Sequence, residues 1–355
     1  MRTITAIMGD GIGPEVMESA MRVIGATGVE IKWERVYAGT TALEKYGNPL
    51  PAGTLSSIDK NRVALKGPCN TPTGDGFKSV NVRLRQQFDL YANIRPIKSL
   101  PGVRSRFENV DLVLFRENTE ELYTGEEEYI WDSGTREIIG AKVVGRVTIA
   151  GSIRFFNRVL GYAKKNLRRR VTIGHKGNIL KLIHGEMFLD QGLKFKEDFQ
   201  EAGINLDSMI VDALGMWLVM DPTKFDLIAV PNLPGDFLSD VCAGLIGGLG
   251  LAPGANIGDE YAIFEAVHGT WPQAAGKNLA NPTALILSAA MMLDHIGEEK
   301  AAKRIRWAIE SVIAEGKKVT CDLSSGGIGV GTTDMTQAII ERIEESFDIE
   351  AESCA

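Results

Sequence analysis

The sequence predicts an α/β protein of about two domains. Short runs of β-branched and other apolar residues alternate with longer segments in which apolar residues recur at spacings of three and four. The chain has 355 residues, and one domain usually takes roughly 100 to 200 residues. Because no repeat or low-complexity tract interrupts the alternation, we expect two domains with enough core between them to form an enzyme cleft.

Each predicted strand is a short β-branched run that ends before a helical pattern begins. The predicted strands are residues 3–7, 62–65, 111–115, 171–173 and 226–230. Each predicted helix carries its apolar residues on one face, as a helix that lies on a sheet does. The predicted helices are residues 151–166, 180–202, 281–296 and 300–315.

Two segments are candidate crossings between the domains, since no Gly/Ser-rich or Pro-rich linker divides the chain. One is residues 96–102, which include two prolines, and the other is the glycine-rich stretch 244–258. If the chain crosses twice, the second domain is an insertion into the first. We therefore predict a large domain of residues 1–100 and 255–355 and a small inserted domain of residues 101–254.

The composition argues against nucleic acid, membranes and a disulfide framework. The chain has 39 Lys+Arg against 46 Asp+Glu, a net charge of −7, so an anionic ligand must be bound by local cations. The four cysteines are far apart, and the sequence contains neither a signal-peptide core nor an apolar stretch of about 18 residues. We expect a cytoplasmic protein with a small-molecule ligand.

A glycine cluster follows the first predicted strand. Gly9, Gly11 and Gly13 could let a phosphate approach a helix N-terminus. Their spacing is G-x-G-x-G followed by Pro14, whereas the dinucleotide fingerprint is G-x-G-x-x-G. A tight turn into a helix that has proline in its first turn explains the pattern as well, and we favour this structural interpretation.

Two aspartates after the strand at 226–230 suggest a metal site. Asp236 and Asp240 are four residues apart, so a helix that begins at Gly235 would place both carboxylates on one face. The alternative is that Asp236 only interacts with the helix dipole. Since the chain has four His, oxygen ligands and therefore Mg²⁺ or Mn²⁺ are favoured over Zn²⁺.

A group of cationic and polar residues lies in the first third of the chain. Ser79, Asn81 and Arg85 are predicted to open a helix, and Arg95 and Arg116 to end the next two strands. Guanidinium groups at element ends form forks that suit carboxylates. Any one of these arginines is more simply explained by a surface ion pair. Their grouping with a hydroxyl and an amide predicts a polycarboxylate pocket.

Four further residues are candidates for proton transfer, but the sequence alone does not separate them from structural residues. They are Tyr123, Lys176, His175 and His184.

Five motifs occur in an order that one enzyme family shares. They are Gly-Asp-Gly-Ile-Gly-Pro-Glu at 9–15, Arg-Glu-Asn-Thr-Glu at 116–120, His-Lys-Gly-Asn at 175–178, Asn-x-x-Gly-Asp-x-x-Ser-Asp at 232–240 and Glu-Ala-Val-His-Gly at 265–269. The set resembles the β-decarboxylating dehydrogenases, which are isocitrate, isopropylmalate and homoisocitrate dehydrogenases. The resemblance covers nearly the whole chain. It implies the family's fold of two α/β domains with the active site in the cleft between them, distinct from the Rossmann fold.

The resemblance also implies roles for the candidate residues. Arg85, Arg95 and Arg116 would bind substrate carboxylates, and Asp212, Asp236 and Asp240 would surround Mg²⁺ or Mn²⁺. The large domain would bind the cofactor, and the small domain would supply substrate, metal and dimer-interface residues. Family members form dimers in which Lys176 and Asp212 come from the partner subunit. Lys176 would help remove the 2-hydroxyl proton, and Tyr123 would protonate the enolate left by loss of carbon dioxide.

Ser79 and Asn81 resemble the isocitrate branch, since isopropylmalate enzymes place apolar side chains there for an alkyl group. A hydroxyl and an amide would be left unpaired against an isopropyl group. We therefore expect isocitrate as the substrate. The alternatives are homoisocitrate, isopropylmalate or a related polycarboxylate or phosphonate analogue and, from another class, a non-catalytic regulatory subunit.

For the cofactor, the resemblance points to residues 270–281 and their surroundings. The implied cofactor-binding residues are Thr71, Glu265, His268, Gly269, Gln273, Asn281 and Asp322. NADP-selective members typically have Lys and Tyr where this chain has Gln273 and Ala274, and some have Tyr and Arg in place of Cys321 and Ser325. Since a 2′-phosphate needs cations, we expect NAD rather than NADP, although NAD enzymes usually have Asp in place of Gln273.

Two departures from the family pattern lie beside these sites. Pro234 replaces the Tyr or Asn usual beside the metal aspartates, and Trp271 occupies a position that is usually small. Either change is compatible with an unaltered activity or with an altered substrate.

Overall fold

The computed structural model of the chain describes residues 1–72, 76–324 and 326–353. Within these ranges the strands are β1 Arg2–Ile7, β2 Ile31–Val36, β3 Val63–Lys66, β4 Ala92–Lys98, β5 Asp111–Glu117, β6 Glu121–Trp131, β7 Ile138–Arg146, β8 Arg170–His175, β9 Asn205–Ile210, β10 Leu227–Val230, β11 Pro253–Ile257 and β12 Ala262–Ala266. The α-helices are α1 Gly13–Ala26, α2 Thr40–Tyr46, α3 Ala52–Asn61, α4 Val80–Gln87, α5 Ile149–Lys165, α6 Asp190–Leu193, α7 Lys196–Glu201, α8 Val211–Met220, α9 Asn232–Leu245, α10 Thr283–His295, α11 Glu299–Glu315 and α12 Thr332–Ser353. A π-helix spans Lys181–Leu189, and 3₁₀ turns span Pro222–Lys224, Leu249–Leu251 and Pro272–Ala274.

One ten-stranded sheet runs through the molecule in the order β2-β1-β3-β12-β11-β4-β5-β10-β8-β9. The strand pairs are parallel except for β11–β12, β11–β4 and β4–β5, which are antiparallel. Successive residues of a strand face opposite sides, so Ile4 and Ala6 of β1 pack in one hydrophobic cluster and Ile7 packs in the other. This mixed sheet with its helices confirms the predicted α/β class.

Strands from the end portions of the chain and strands from its central portion lie towards opposite edges of the sheet. β2, β1, β3, β12 and β4 belong to the two end portions, and β5, β10, β8 and β9 belong to the central portion. β11, Pro253–Ile257, crosses the predicted boundary between residues 254 and 255. The two groups meet where β4 pairs with β5. The division into residues 1–100 plus 255–355 and residues 101–254 remains a prediction.

Strand β4 extends to Lys98, so the expectation that Arg95 ends a strand is wrong. Arg95 lies in the middle of β4, where its side chain points to one face of the sheet together with that of Asn93. Ile94, between them, faces a separate cavity of about 980 Å³ on the opposite face. The polar site residues are therefore fixed by a strand paired on both sides, which is a more rigid support than a strand end.

Two helix boundaries also differ from expectation. α9 begins at Asn232, directly after Pro231, and not at Gly235, because proline readily precedes a helix. The segment predicted as one helix at 180–202 is a π-helix followed by α6 and α7. Gly185 and Gly192 lie inside this segment, and glycine weakens a continuous α-helix.

Strands β6 and β7 form a separate two-stranded sheet that the apolar patterns did not predict. Both strands are largely exposed, and Tyr129, Trp131, Ile139 and Val143 present large apolar side chains on their surface. An isolated two-stranded hairpin is at best marginally stable in water. The sequence periodicity missed these strands because neither face is buried in the chain's own core.

No α-helix in the part of the chain that the structure describes is both long and apolar enough to cross a bilayer. Cys69, Cys242 and Cys321 are free thiols, and Cys354 lies outside the described residues.

Candidate active site

A polar cavity of about 260 Å³ lies where α4, β4 and β12 face β6 and α9. Seven of the predicted substrate, catalytic and metal residues line it: Ser79, Asn81, Arg85, Arg95, Tyr123, Asp236 and Asp240. Its residues come from both of the predicted domains. Segments remote in sequence are thus brought together around a space of small-molecule size.

Arg116 lies directly behind the cavity wall and is fully buried. Its guanidinium pairs with Asp236, donates from Nε to Asn232 Oδ1 at 2.9 Å, and lies 4.8 Å from the centre of the Tyr123 ring. Burial and the nearby Arg85 lower the pKa of Arg116 to about 10. Its Nη2 is buried without a hydrogen-bond partner among the described residues. That unmet donor suits a carboxylate ligand.

Tyr123 and Asp236 form a phenol–carboxylate pair. The Tyr123 hydroxyl donates to Asp236 Oδ2 at 2.5 Å. Burial, followed by this carboxylate, raises the pKa of Tyr123. Burial opposes ionisation of Asp236, but Arg116, the Tyr123 hydroxyl, Arg95 and Arg85 together outweigh it and lower the pKa of Asp236. At neutral pH the phenol is therefore the proton donor and the carboxylate the acceptor.

Arg95 connects β4 to α9. It pairs with Ser239, approaches Asp240 Oδ1 at 3.4 Å, and donates from Nε to Asn93 Oδ1 at 2.8 Å. The Asp240 side chain is 61% exposed and faces the cavity, and burial of its inner part raises the pKa of Asp240. A guanidinium held on one edge by protein groups leaves its other edge for a ligand.

The opposite wall is built at the start of α4. Ser79 caps this helix, since its Oγ accepts a hydrogen bond from the Val82 N–H at 3.4 Å. Asn81 Oδ1 and Arg85 Nε are buried and have no hydrogen-bond partner in the described structure. Buried polar groups are normally satisfied, so this wall has unmet hydrogen-bonding capacity beside the cavity.

Glu265, an expected cofactor residue, lies in this polar cavity and pairs with Lys66 at 2.5 Å. It also accepts from Asn256 Nδ2 at 2.7 Å and lies 3.5 Å from Arg85. Burial opposes ionisation of Glu265, but Lys66 and then Arg85 outweigh it and hold its pKa at about 2. Lys66 was not among the predicted site residues. The feature that could have identified Lys66 is a charged residue at the end of a fully buried strand.

The metal ligands are only partly assembled. Asp236 and Asp240 lie one turn apart on α9, but no group of three or more His, Cys, Asp or Glu side chains in the described ranges is arranged to hold a metal. Asp212 on α8 instead pairs with Lys176, and neither residue lines the cavity. Two carboxylates fit the ligand preference of Mg²⁺ or Mn²⁺, and a complete site needs further ligands.

A second cavity of about 360 Å³ adjoins the first and shares His268 and Gly269 with it. Of the predicted cofactor residues it also contains Asn281 and Asp322, and Asn281 Nδ2 donates to Asp322 Oδ2 at 2.9 Å. His268 Nε2 is buried without a partner among the described residues, and burial lowers the pKa of His268. Apolar walls with a few polar groups suit a nucleotide.

Two expected cofactor residues, Thr71 and Gln273, line neither cavity. Thr71 donates to Ser79 Oγ at 3.3 Å, and Gln273 is exposed. Trp271, the unusual large residue, does line the cavity; it is 49% exposed and has a φ of 35°. Ser325, where some NADP-selective members have Arg, lies outside the described residues.

The glycine cluster forms a tight turn that approaches other backbone segments closely. A Cβ at Gly11, which has a φ of 59°, would lie 2.0 Å from Thr270 O. The Asp10 carboxylate in this turn accepts hydrogen bonds from the backbone N–H groups of Thr40, Thr41 and Asn70 at 2.8–2.9 Å. These contacts support the structural interpretation of the cluster.

The chain is similar to known proteins over nearly its whole length. The model of the isocitrate/isopropylmalate dehydrogenase family matches residues 3–339. A mitochondrial NAD isocitrate dehydrogenase catalytic subunit 5 of Arabidopsis thaliana is 44% identical over 96% of this chain and 88% of that protein. An NADP isocitrate dehydrogenase of Archaeoglobus fulgidus is 41% identical over 95% and 91%. The crystal structure of isocitrate dehydrogenase from Methylococcus capsulatus matches with a TM-score of 0.93 and 49% identity, over 97% of this chain and all of that one.

Proposed function

Since this chain belongs to the isocitrate/isopropylmalate dehydrogenase family, we propose that it is a catalytic, NAD-dependent member that converts isocitrate to 2-oxoglutarate and carbon dioxide. The observation that carries the proposal is the convergence of Arg85, Arg95 and Arg116 with the Tyr123–Asp236 pair around one cavity. Three cations next to a protonated phenol suit a polycarboxylate substrate. The cations bind its carboxylates, and the phenol donates a proton to the carbon that has lost carbon dioxide.

When bound, a divalent cation would supply charge stabilisation and NAD would supply the hydride acceptor. The three arginines bind the substrate carboxylates and so fix the carbon that bears the hydroxyl. Lys176, as the neutral amine, helps remove the hydroxyl proton. Tyr123 then gives a proton to the carbon from which carbon dioxide has left, and its raised pKa keeps it protonated until that step.

The choice of isocitrate rests on the wall formed by Ser79, Asn81 and Arg85. An alkyl substituent would leave the buried Asn81 amide and Arg85 Nε unpaired, which costs about 1–3 kcal/mol for each polar group. A carboxylate of the substrate would satisfy them. Homoisocitrate differs by one methylene, so the same wall discriminates less against it.

A matrix of initial rates tests the proposed reaction. Purified protein with Mg²⁺ or Mn²⁺ is given isocitrate, homoisocitrate or isopropylmalate with NAD or NADP. We expect the highest kcat/KM for isocitrate with NAD. Absence of that turnover would end the assignment, whereas turnover by this chain alone excludes the alternative of a non-catalytic subunit.

The choice of NAD is supported by the second cavity. Among its described lining residues there is a carboxylate, Asp322, but no Lys or Arg. A 2′-phosphate would meet negative charge there without a cationic partner. His268 adds no positive charge at neutral pH, because burial lowers its pKa.

We further propose a homodimer in which each active site takes Lys176 and Asp212 from the other chain. These two residues pair with each other outside the cavity that holds Tyr123. The exposed apolar side chains of the β6–β7 hairpin and of Met216, Met220 and Phe237 on α8 and α9 supply a surface for such a dimer. The cytoplasmic location stays a prediction.

Hybrid dimers test the shared site. Tyr123→Phe and Lys176→Met homodimers are each expected to lose most activity, since each removes one proton-transfer group. A hybrid with one defect per chain should regain one intact site and therefore up to about half of the wild-type kcat, by counting sites. Steady-state rates of hybrids purified by two affinity tags measure this. A hybrid as inactive as its parents would mean that both residues serve the same chain's site.

A further inference from the structure

We propose that Glu121 and His184 form a buried positioning pair that fixes Lys176 relative to Tyr123 and Asp236. The inference rests on the proposed function only for the catalytic roles of Lys176, Tyr123 and Asp236. Glu121 and His184 line neither the polar cavity nor the second cavity, and both are almost completely buried. A buried ionisable pair is costly unless its partners are well arranged, so each of its contacts is informative.

The pair connects three separate parts of the chain. His184 Nε2 lies 2.9 Å from Glu121 Oε1, and His184 Nδ1 accepts a hydrogen bond from the Lys176 N–H at 3.2 Å. Glu121 Oε2 accepts from the Leu233 N–H at 2.6 Å. Glu121 begins the strand that carries Tyr123, and Leu233 lies in the first turn of α9, three residues before Asp236. One side-chain pair thus joins the Lys176 loop, the Tyr123 strand and the Asp236 helix.

The hydrogen bonds fix the protonation of the imidazole. Because Nδ1 accepts a backbone N–H, it carries no proton, and the ring proton is on Nε2, where it is donated to the Glu121 carboxylate. Reversing this tautomer would break both contacts. The backbone of Glu121 has a φ of 64°, a left-handed conformation that a non-glycine residue adopts at some cost. The contacts of its carboxylate hold it there.

In the proposed homodimer, the Glu121–His184 pair connects residues of two different active sites. Tyr123 and Asp236 serve the site of their own chain, whereas Lys176 serves the partner's site. The pair therefore fixes the acid of one active site and the base of the other to a common support. Glu121 and His184 contact no substrate, and they are positioning residues rather than catalytic ones.

Two substitutions of His184 each remove one of the two hydrogen bonds that its ring makes to Lys176 and Glu121. His184→Asn retains an acceptor near the Nδ1 position for the Lys176 N–H but is too short to reach Glu121. His184→Gln retains a donor towards Glu121 but loses the acceptor for Lys176. For both variants we expect kcat per cofactor-binding site to fall by about 10- to 100-fold, as for other residues that orient a catalytic group, with little change in KM. His295→Asn on α10, where the ring packs on Phe264, is the matched control and should keep both values.

Hydrogen–deuterium exchange tests the link without turnover. In His184→Gln, the peptide over residues 175–180 should exchange faster than in wild type, and in His184→Asn it should stay protected while residues 231–236 exchange faster. Glu121→Gln, which keeps the side-chain shape, should also expose residues 231–236 if the His184 variants fold poorly. Wild-type exchange in all variants overturns the proposal, and so does an equal loss of protection across the chain. Lack of wild-type turnover would reject the proposed function alone, since exchange still reports on the link.

Discussion

Tyr123→Phe is expected to lower kcat by about 10²- to 10⁴-fold, the usual contribution of a positioned general acid. The substitution removes the hydroxyl that donates to Asp236 Oδ2 at 2.5 Å and leaves the ring beside Arg116 in place. Substrate and cofactor should therefore still bind. Because the pKa of Tyr123 is raised by burial and then by Asp236, loss of its proton should limit the wild-type rate only above the ordinary tyrosine value of about 10.

Stopped-flow and steady-state rates on the purified variant measure this effect, and titration of NADH fluorescence measures cofactor binding. Tyr46→Phe is the matched control, since Tyr46 is 59% exposed at the end of α2 and lines neither cavity, and it should keep the wild-type rate. Wild-type turnover by Tyr123→Phe would show that another group donates the proton.

Glu265→Gln is expected to destabilise the fold by about 3–5 kcal/mol, the cost of removing one partner of a buried ion pair. The Lys66 side chain is 2% exposed and that of Glu265 is 12% exposed, so the substitution leaves an ammonium group buried without its counter-charge. Urea unfolding should give a lower midpoint with an unchanged slope. Glu310→Gln, which breaks the exposed pair with Lys98, should cost only about 0–1 kcal/mol.

The same pair predicts a pH dependence of stability. The pKa of Glu265 is about 2 in the folded chain against an ordinary value of 4.5. A carboxyl group with a lowered folded pKa stabilises the fold above its unfolded pKa, and this contribution is lost as the pH falls from about 4.5 towards 2. In Glu265→Gln this loss on acidification should be absent. If the variant and wild type weaken in parallel over that range, the ion pair does not contribute as described.

Strands β1, β3, β5, β8 and β10 of the central sheet could be predicted because each contains a short run of apolar and β-branched residues, such as residues 226–230 at β10. The β6–β7 hairpin could not, since its apolar residues lie on an exposed surface and show no buried face. The pairing of Lys66 with Glu265 joins residues 199 positions apart, which no local pattern reveals. Similarly, the position of Asp212 beside Lys176 and away from Asp236 depends on the arrangement of whole elements.

The candidate site was easier to predict than the conformation of its support. Arginines, a phenol and paired aspartates are recognisable as residue types with known chemistry, and the structure brings Arg85, Arg95 and Asp236 to one cavity. Their backbone positions were less predictable, because Arg95 lies inside β4 and α9 starts three residues earlier than expected. In both cases a paired strand or an added helical turn makes the support firmer than the sequence indicated.

The turn at Asp10 has a consequence for how cofactor preference can evolve in this fold. The backbone amides of this turn, where other nucleotide-binding proteins bind a pyrophosphate, already donate to carbonyl oxygens within the chain: Asp10, Ile12 and Gly13 donate to Pro68, Thr270 and Asp10, respectively. We therefore expect a change of dinucleotide preference to come from side chains of the proposed cofactor site, around residues 268–281 and at Asp322, rather than from the first βα turn.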